Sequence, residues 1–297
     1  MKRISIFFIL MMLLFCWASC NKDNGSGSAS GTDSGAVVPQ PDPDPDPDPD
    51  PDPDPDPDPT SEPAEIDFDN IDPQDPHYRS TSAGGKSVSS NQTFSITGTS
   101  WTGEQWAESS AQYSMTYYDN GTFKASWSNC SDYLARVGFR YKTPYPDYKA
   151  KNYIADYQFT KTGSAGYGYI GVYGWTYEPI VEYYIVDDWY GDTGVPYGGN
   201  KKGELTVDGA TYTVYTVQRT NYPSPFGENK NFTSVYSVRK SARHQGRIHI
   251  SEHFNQWAMS GIKLGKLYEV SILAEAGGSA TGSVEFTYFN LMALPVE

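Results

Sequence analysis

Cysteine, histidine and positive charge are all scarce in this chain of 297 residues. With only 3 Cys, of which Cys16 and Cys20 lie in or just after the first apolar run, Cys130 has no partner for an internal disulfide, and a cysteine-rich metal site is excluded. The 4 His are scattered, and no phosphate loop or redox-cofactor motif is evident, so we expect neither a metal nor a cofactor. No strongly basic face is evident among the 22 Lys and Arg, which argues against a nucleic-acid partner.

The N-terminal segment has the pattern of a bacterial export signal. An apolar run over residues 4–17 follows a basic start and is shorter than the about 20 residues of a membrane-spanning helix. It ends in Ala18-Ser19-Cys20, and small residues before a cysteine are typical of lipoprotein processing. We therefore predict a signal peptide over residues 1–20 and a lipid on Cys20 that tethers the mature protein to a membrane. The alternative is a soluble secreted protein with an incidental cysteine.

A Pro-Asp repeat dominates the segment that follows. Proline donates no backbone hydrogen bond and the aspartates repel one another, so this repeat cannot form a core. We predict a disordered linker over residues 21–60, a transition segment of unknown structure over residues 61–90 and a folded domain over residues 91–297. Within the linker, Asn21-Lys22-Asp23 resembles the short signal that sends lipoproteins of the Bacteroidota to the cell surface.

Short segments with a tendency to alternate apolar and polar residues recur in the folded part. They are residues 123–127, 167–175, 181–186, 212–219, 234–239 and 268–275. Turn sequences such as Asp119-Asn120-Gly121 separate several of them. This spacing favours antiparallel sheets packed as a sandwich, an all-β fold. One helix is predicted over residues 252–259, with Ser251 as its N-cap and Gly261 as its end.

Tyrosine and tryptophan are abundant on these predicted strands, with 24 Tyr and 7 Trp in the chain. Such side chains make a surface that both stacks and hydrogen-bonds, which suits the C–H faces and hydroxyls of sugars. Packing between sheets is the alternative role for any single tyrosine. Composition alone therefore indicates no more than a carbohydrate-binding β-protein.

The most specific stretch is residues 173–189, which reads Tyr-Gly-Trp-Thr-Tyr-Glu-Pro-Ile-Val-Glu-Tyr-Tyr-Ile-Val-Asp-Asp-Trp. On a strand, Glu182 and Tyr184 share one face, and a carboxylate among aromatic neighbours is a candidate for catalysis. The stretch resembles the nucleophile strand of family 11 glycoside hydrolases, the endo-β-1,4-xylanases. The resemblance implies that Glu182 is the nucleophile, that Tyr173 contacts the sugar at the cleavage subsite and that Tyr184 hydrogen-bonds near the nucleophile.

Further segments match this family in order between about residues 95 and 288. In the last of them, residues 267–275, Glu275 takes the place of the family's acid/base glutamate. The family usually continues with Gly-Tyr-Gln, whereas this chain continues with Ala276-Gly277-Gly278, and a different alignment would place Ala274 at the catalytic position. We prefer Glu275 because other members match this strand without a gap.

The resemblance implies a β-jelly-roll sandwich of two curved antiparallel sheets with one α-helix. It also implies a retaining mechanism, in which two carboxyl groups stand about 5 to 5.5 Å apart. Trp106 takes the position of a tryptophan that stacks on the next sugar. Arg219, Pro223 and Ser224 fall at substrate-contacting positions of the thumb loop, where a structural role is the alternative. Ser234 replaces a glutamine that contacts sugar hydroxyls in many members, a difference that we expect to weaken one contact without affecting the chemistry.

Asn129 aligns with the family position that hydrogen-bonds the acid/base residue. In the family, Asn at this position accompanies near-neutral pH optima and Asp accompanies acidic ones. We therefore expect an optimum near neutrality. An ordinary turn asparagine before Cys130 is the alternative.

The function that follows from the resemblance is endo-acting hydrolysis of β-1,4-xylan or xylo-oligosaccharides. We expect a secreted monomer that is held at the cell surface as an outer-membrane lipoprotein. Two alternatives remain open, a non-catalytic surface protein that binds xylan and a β-1,4-glucanase on a related jelly roll.

Overall fold

Thirteen strands and one helix make up the described part of the computed structural model, which comprises residues 64–79, 84–108 and 112–296. The strands are β1 (Lys86–Val88), β2 (Gln92–Ser95), β3 (Trp101–Glu108), β4 (Gln112–Tyr117), β5 (Phe123–Arg140), β6 (Asn152–Ser164), β7 (Tyr167–Tyr177), β8 (Val181–Trp189), β9 (Asn200–Val207), β10 (Ala210–Ser224), β11 (Gly227–Arg239), β12 (Gln245–His249) and β13 (Lys266–Leu294). The helix α1 spans Ile250–Met259. The predicted signal peptide, Cys20 and the linker lie outside the described residues.

Two long strands, β5 and β13, run through both layers of a sandwich. The first half of β13 pairs with β7 and the second half with β6, while β5 pairs first with β4 and then with β3. The larger layer therefore has the order β2-β3-β5-β13-β7-β8-β11-β10-β9, and the smaller layer has β1-β4-β5-β13-β6-β12. All of these pairs are antiparallel except β8 with β11. The predicted β-jelly-roll with one helix is confirmed.

The bend in β13 coincides with irregular pairing to β5. The register shifts between Gly277 and Ala280 and again before Gly282. Gly278 and Ser279 have φ angles of 71° and 64° in this bend, a conformation that costs glycine little. The extra residues change the direction of β13, so its two halves belong to different layers.

Alternation along the strands of the larger layer separates a core face from a second aromatic face. On β7, Ile170 and Val172 join the core between the layers, whereas Tyr169 and Tyr173 belong to a separate cluster. The buried members of that cluster are Tyr169, Tyr173, Trp175, Tyr184, Val186, Val217, Phe232, Tyr236, Val238 and Leu273. We call the side of the larger layer that carries this cluster the cleft face.

The helix packs against the sheets through residues spaced three or four apart. Its buried side chains are Ile250, His253, Phe254 and Trp257. Trp257 Nε1 donates a hydrogen bond of 2.8 Å to Ser237 Oγ in β11, which ties the helix to the larger layer. Within the described ranges, no helix is long and apolar enough to cross a membrane.

The predicted N-cap of this helix is wrong, whereas its predicted end agrees with the structure. The helix begins at Ile250, and His249 occupies the N-cap position without a side-chain capping bond. Ser251 lies inside the first turn, where its Oγ accepts a hydrogen bond from the Tyr153 N–H at 2.8 Å. This hydroxyl therefore binds the backbone of β6 and does not cap the helix. Gly261, with φ of 83°, follows the last turn as expected.

Residues 64–79, which we call the N-terminal strap, pack on the smaller layer. Gln158 Nε2 donates to the Phe68 carbonyl at 3.3 Å, and the Phe68 ring meets Tyr288 edge-on with centroids 5.6 Å apart. The Arg79 N–H donates to the Thr287 carbonyl at 2.8 Å. Further along, β1 adds an edge strand beside β4. Much of the transition segment therefore belongs to the folded domain.

Candidate active site

Glu182 lies in β8 on the cleft face and accepts three hydroxyl hydrogen bonds. Ser234 Oγ donates to Oε2 at 2.6 Å, and the hydroxyls of Tyr173 and Tyr184 donate to Oε1 at 3.2 Å each. Burial raises the pKa of Glu182, and the three hydroxyls oppose this effect by stabilising the charged form. The arrangement holds the carboxylate in one orientation, as a nucleophile requires.

Glu275 lies in β13 on the same face and is buried. Its pKa is raised well above the usual range, first by burial and then by the negative charges of Asp132 and Glu182. The hydroxyl of Tyr184, whose one proton is donated to Glu182, and the charge of Arg219 act in the opposite direction. Glu275 is therefore the carboxyl that keeps its proton while Glu182 is ionised, which is the division of roles between an acid and a nucleophile.

Asp132, not Asn129, is the residue of β5 whose charge acts on Glu275. Asn129 is exposed, has φ of 52°, and its backbone N–H donates to Thr281 Oγ1 at 3.0 Å, so it is a turn residue at the bend. The assignment of Asn129 as the partner of the acid/base is wrong. Because Asp132, and not an asparagine, acts on Glu275, the argument for a near-neutral pH optimum of activity no longer holds. The family trend predicts an acidic optimum instead.

Three side chains hold Tyr173 against Glu182. Trp175 Nε1 donates to the Tyr173 hydroxyl. The Tyr184 ring packs edge-on against it with centroids 4.9 Å apart, and the Arg136 guanidinium lies 5.0 Å from its ring centroid. Arg136 is itself held by Glu104 at 2.8 Å. The two predicted tyrosines are thus both brought to Glu182.

Arg219 is linked to Glu182 by hydrogen bonds through Ser234. Arg219 Nε donates to Ser234 Oγ at 3.1 Å and Nη2 donates to the Tyr236 hydroxyl at 3.2 Å. Ser234 in turn donates to Glu182. Parallel pairing of β11 with β8 sets Ser234 directly beside Glu182. The expectation that this serine leaves the chemistry untouched took no account of this contact, and its effect on the rate stays a prediction.

Trp106 lies on β3 within reach of the cleft face. It is the cross-strand partner of Leu134, which is the partner of Glu275. Its side chain is half-buried, so part of the indole faces outward. This position is compatible with stacking on a sugar beside the carboxyl pair, and the contact stays a prediction.

Pro223 and Ser224 lie at the tip of the β10–β11 hairpin, the thumb of the resemblance. Ser224 Oγ accepts the Phe226 N–H at 3.1 Å and donates to the Gly227 carbonyl at 3.1 Å, so this hydroxyl closes the turn. Pro223 is exposed. Phe226 packs against Tyr177 with centroids 4.8 Å apart. The substrate contacts of Pro223 and Ser224 stay predictions.

The cleft face thus combines an aromatic surface with two buried glutamates, of which Glu275 has its pKa raised well above the usual range and Glu182 accepts three hydroxyl hydrogen bonds. Within the ranges that the structure describes, no three His, Cys, Asp or Glu side chains come together as ligands for a metal ion. A pair of glutamates, one of which ionises more readily than the other, is the arrangement that glycosidases use.

Comparison with known proteins agrees with this geometry. The family model described as glycosyl hydrolases family 11 matches residues 99–287. The chain belongs to glycosyl hydrolase family 11. Endo-1,4-beta-xylanase C of Fibrobacter succinogenes is 50% identical over 179 residues, which cover 60% of this chain and 29% of that protein. Endo-1,4-beta-xylanase S20 of Neocallimastix patriciarum is 44% identical over 190 residues, covering 62% of this chain and 56% of that protein.

A solved xylanase structure shares the fold. The wild-type ENZbleach xylanase is 31% identical with a TM-score of 0.67, and the match covers 77% of this chain and 98% of that one. The chain spans less than two thirds of the length of the two curated relatives above.

The orientation of β13 decides between the two alignments of the family's acid/base position. Ala274 is fully buried in the core between the layers, on the opposite face from the cleft. Glu275 faces Tyr169 and Leu134 instead. Of the two, only Glu275 can meet a substrate that contacts Glu182. The altered sequence after the glutamate therefore leaves Glu275 on the cleft face.

Proposed function

We propose that the chain is an endo-1,4-β-xylanase that cleaves internal bonds of β-1,4-xylan with retention of configuration. The observation that carries the proposal is the pair on the cleft face, in which Glu182 accepts three hydroxyl hydrogen bonds and Glu275 is held neutral beside it. The names of the two curated relatives support xylan as the substrate class.

In the first step, a Glu182 oxygen attacks the anomeric carbon while Glu275 gives its proton to the leaving glycosidic oxygen. The glycosidic C–O bond breaks, and an ester links the sugar to Glu182. Formation of the ester removes the charge of Glu182, so one of the causes that raise the pKa of Glu275 disappears. Glu275 leaves this step as a carboxylate.

In the second step, Glu275 takes a proton from water while the water oxygen attacks the same anomeric carbon. The ester bond breaks, Glu182 recovers its charge and Glu275 recovers its proton. Two inversions give net retention. Tyr173 and Tyr184 donate to one Glu182 oxygen and Ser234 to the other, so in the ester only the donors to the oxygen that does not carry the sugar keep a full acceptor.

Release of reducing sugar by the full chain tests this proposal. We expect activity on xylan and, from each of Glu182→Ala and Glu275→Ala, a loss of about 1,000-fold or more, since each removes one member of a unit. Glu252→Ala, on helix α1, removes a glutamate outside the cleft and should leave activity unchanged. Binding of xylan without any release would favour the non-catalytic alternative, and activity on β-1,4-glucan alone would favour the glucanase.

We propose further that the mature protein is a secreted monomer, tethered by lipid on Cys20 to the outer membrane at the cell surface. The support is the sequence alone, an apolar run followed by small residues and a cysteine, and then the Pro-Asp linker. Cys20→Ala should move the xylanase from the membrane fraction to the soluble fraction. Wild-type protein that is already soluble, or that protease added to whole cells cannot reach, would contradict the surface anchor, and a dimer in gel filtration would contradict the monomer.

A further inference from the structure

Four charged side chains form a closed cluster on the cleft face beside Tyr173. They come from three neighbouring strands, with Glu104 on β3, Arg136 and Arg140 on β5, and Glu269 on β13. Arg136 Nη2 donates to Glu104 at 2.8 Å, and Arg136 Nε lies 3.2 Å from Glu269 Oε1. Arg140 Nη2 binds the same two carboxylates, Glu104 at 2.5 Å and Glu269 at 3.4 Å. Each arginine therefore bridges both glutamates, and we call these four residues the charge cluster.

A glycine on β5 leaves room for the charge cluster. Arg136, Gly138 and Arg140 alternate along β5 and therefore share the cleft face. A Cβ atom on Gly138 would overlap the backbone of β13 and lie 2.8 Å from Ser271 Oγ. With no side chain between them, the two guanidinium groups both reach Glu269, to which Ser271 Oγ also donates at 2.8 Å. The sequences of β5 and β13 thus build the charge cluster at one place.

The charge cluster is largely removed from water. The side chain of Glu269 is 1% exposed and that of Arg136 is 10% exposed, while Glu104 and Arg140 are 18% exposed. Burial alone would raise the pKa of Glu104, but the charges of the two arginines outweigh burial and lower this pKa, so the carboxyl is ionised. Apolar residues of similar volume are often as stabilising as a buried ion pair. Four buried charges therefore do not by themselves indicate added stability, and their contact with Tyr173 indicates a role in positioning.

Arg136 is the member of the charge cluster that contacts Tyr173. Its guanidinium lies 5.0 Å from the centroid of the Tyr173 ring, whose face attracts a cation. Tyr184 packs edge-on against the same ring, with centroids 4.9 Å apart. The Tyr173 hydroxyl donates to Glu182 at 3.2 Å. A movement of the ring would therefore break or weaken one of the hydrogen bonds that hold Glu182.

We propose that Arg136 is a positioning residue, which the charge cluster holds in one orientation so that Tyr173 stays hydrogen-bonded to Glu182. This inference rests on the proposed xylanase function. A fixed guanidinium holds the phenol in place before substrate binds, and a preorganised donor needs no rearrangement when the charge of Glu182 changes. The effect of Arg136 on the rate passes through Tyr173, which distinguishes it from a residue that binds the sugar.

The variant Arg136→Gln/Glu269→Gln removes one charge of each sign from the charge cluster. Arg140 and Glu104 keep their ion pair at 2.5 Å, so neither of the remaining charges is left without a partner. We expect kcat/KM on xylan to fall by about 10-fold, with most of the loss in kcat, because one donor to Glu182 is no longer held. A higher KM at unchanged kcat would mean that the charge cluster binds sugar, and would overturn the proposal.

A double-mutant cycle with Tyr173→Phe separates positioning from a general structural effect. Tyr173→Phe removes the hydroxyl that the charge cluster positions, so in this background the charge-cluster variant should lower kcat/KM by about twofold or less. An equal loss in both backgrounds would overturn the role of the charge cluster. Arg247→Gln is the matched control, because it breaks a buried ion pair with Asp156 on the smaller layer, and it should leave kcat/KM unchanged.

A ¹³C NMR spectrum of the full chain labelled at tyrosine Cζ gives a second readout that needs no activity. The Tyr173 signal is assigned as the one that disappears in Tyr173→Phe. In Arg136→Gln/Glu269→Gln this signal should broaden or split, because the ring takes more than one position, whereas in Arg247→Gln it should stay as in the wild type. A single sharp Tyr173 signal in the charge-cluster variant would overturn the proposal. A wild type that releases no sugar from xylan would overturn the proposed function, and the spectrum would still decide whether the charge cluster holds the ring.

Discussion

Replacing Ser234 by alanine tests how the nucleophile is held. Ser234 is fully buried and makes the shortest of the three hydrogen bonds to Glu182, at 2.6 Å. It also accepts from Arg219 at 3.1 Å, so its hydroxyl links that cation to the carboxylate. Alanine removes one oxygen and leaves both partners without this contact.

The size of the effect follows from the charge on the acceptor. A hydrogen bond to a charged group contributes about 1.5 to 3 kcal/mol. If the ionised nucleophile loses this amount, the pKa of Glu182 rises by about one to two units, since one unit corresponds to about 1.4 kcal/mol. The bond lowers this pKa, so its loss moves the acidic limb of kcat/KM to higher pH. We expect kcat/KM at low pH to fall by about 10- to 100-fold.

The assay is a pH profile of kcat/KM from reducing-sugar release on soluble xylan. Ser234→Thr keeps a hydroxyl and should restore most of the wild-type limb. Thr233→Ala removes the neighbouring hydroxyl, which bonds Gln218 on the other side of the strand, and should leave the profile unchanged. An acidic limb that stays in place in Ser234→Ala would refute the reasoning, whatever happens to the rate.

Three further predictions follow from other parts of the structure. Asp132→Asn replaces a carboxyl of pKa about 6 by a neutral amide beside Glu275, so the alkaline limb of a pH–rate profile should move up by about one unit; an unchanged limb would exclude Asp132 from control of the acid/base. Burial lowers the pKa of His253 from 6.5 to about 4, so the folded state binds fewer protons, and stability that is complete above pH 6.5 should decline towards pH 4 by on the order of 3 kcal/mol. Melting temperatures should show this decline in the wild type and a flatter pH dependence in His253→Phe. Phe68→Ala removes the contact of the strap with Tyr288 and should lower the melting temperature by a few degrees without changing kcat/KM, and an unchanged melting temperature would show that the strap adds no stability.

Regular strands made much of the fold predictable, whereas the pair of glutamates came from the family resemblance. Alternation in residues 181–186 and 268–275 predicts strands, and the structure has β8 and β13 over these residues. Within one unbroken strand the period of two fixes which face a side chain takes, so Glu182 and Tyr184 share the cleft face as predicted.

The error over Asn129 came from the family alignment and not from the strand period. On β5, Trp127, Tyr133 and Ala135 face the core, and an alternation counted from Trp127 to Tyr133 already puts Asp132 on the opposite face. Cys130 also joins the core, because the alternation is broken locally where Asn129 has a positive φ and the pairing with β13 shifts. Local sequence carries no sign of such a break.

The role of Ser234 could not be predicted for a different reason. Its contact with Glu182 depends on the pairing of β11 with β8, two strands that are parallel and separated by two others in the chain. No local pattern fixes the register of such a pair. Ser234 can be identified as the partner of Glu182 only when the strand order is known.

The most direct test of the account is the anomeric configuration of the first product. Xylo-oligosaccharide is mixed with the full chain, and ¹H NMR spectra are recorded before mutarotation equilibrates the new reducing end. Attack by Glu182 followed by water predicts that the β-anomer forms first. Initial formation of the α-anomer would mean a single displacement by water, and would contradict the assignment of Glu182 as nucleophile.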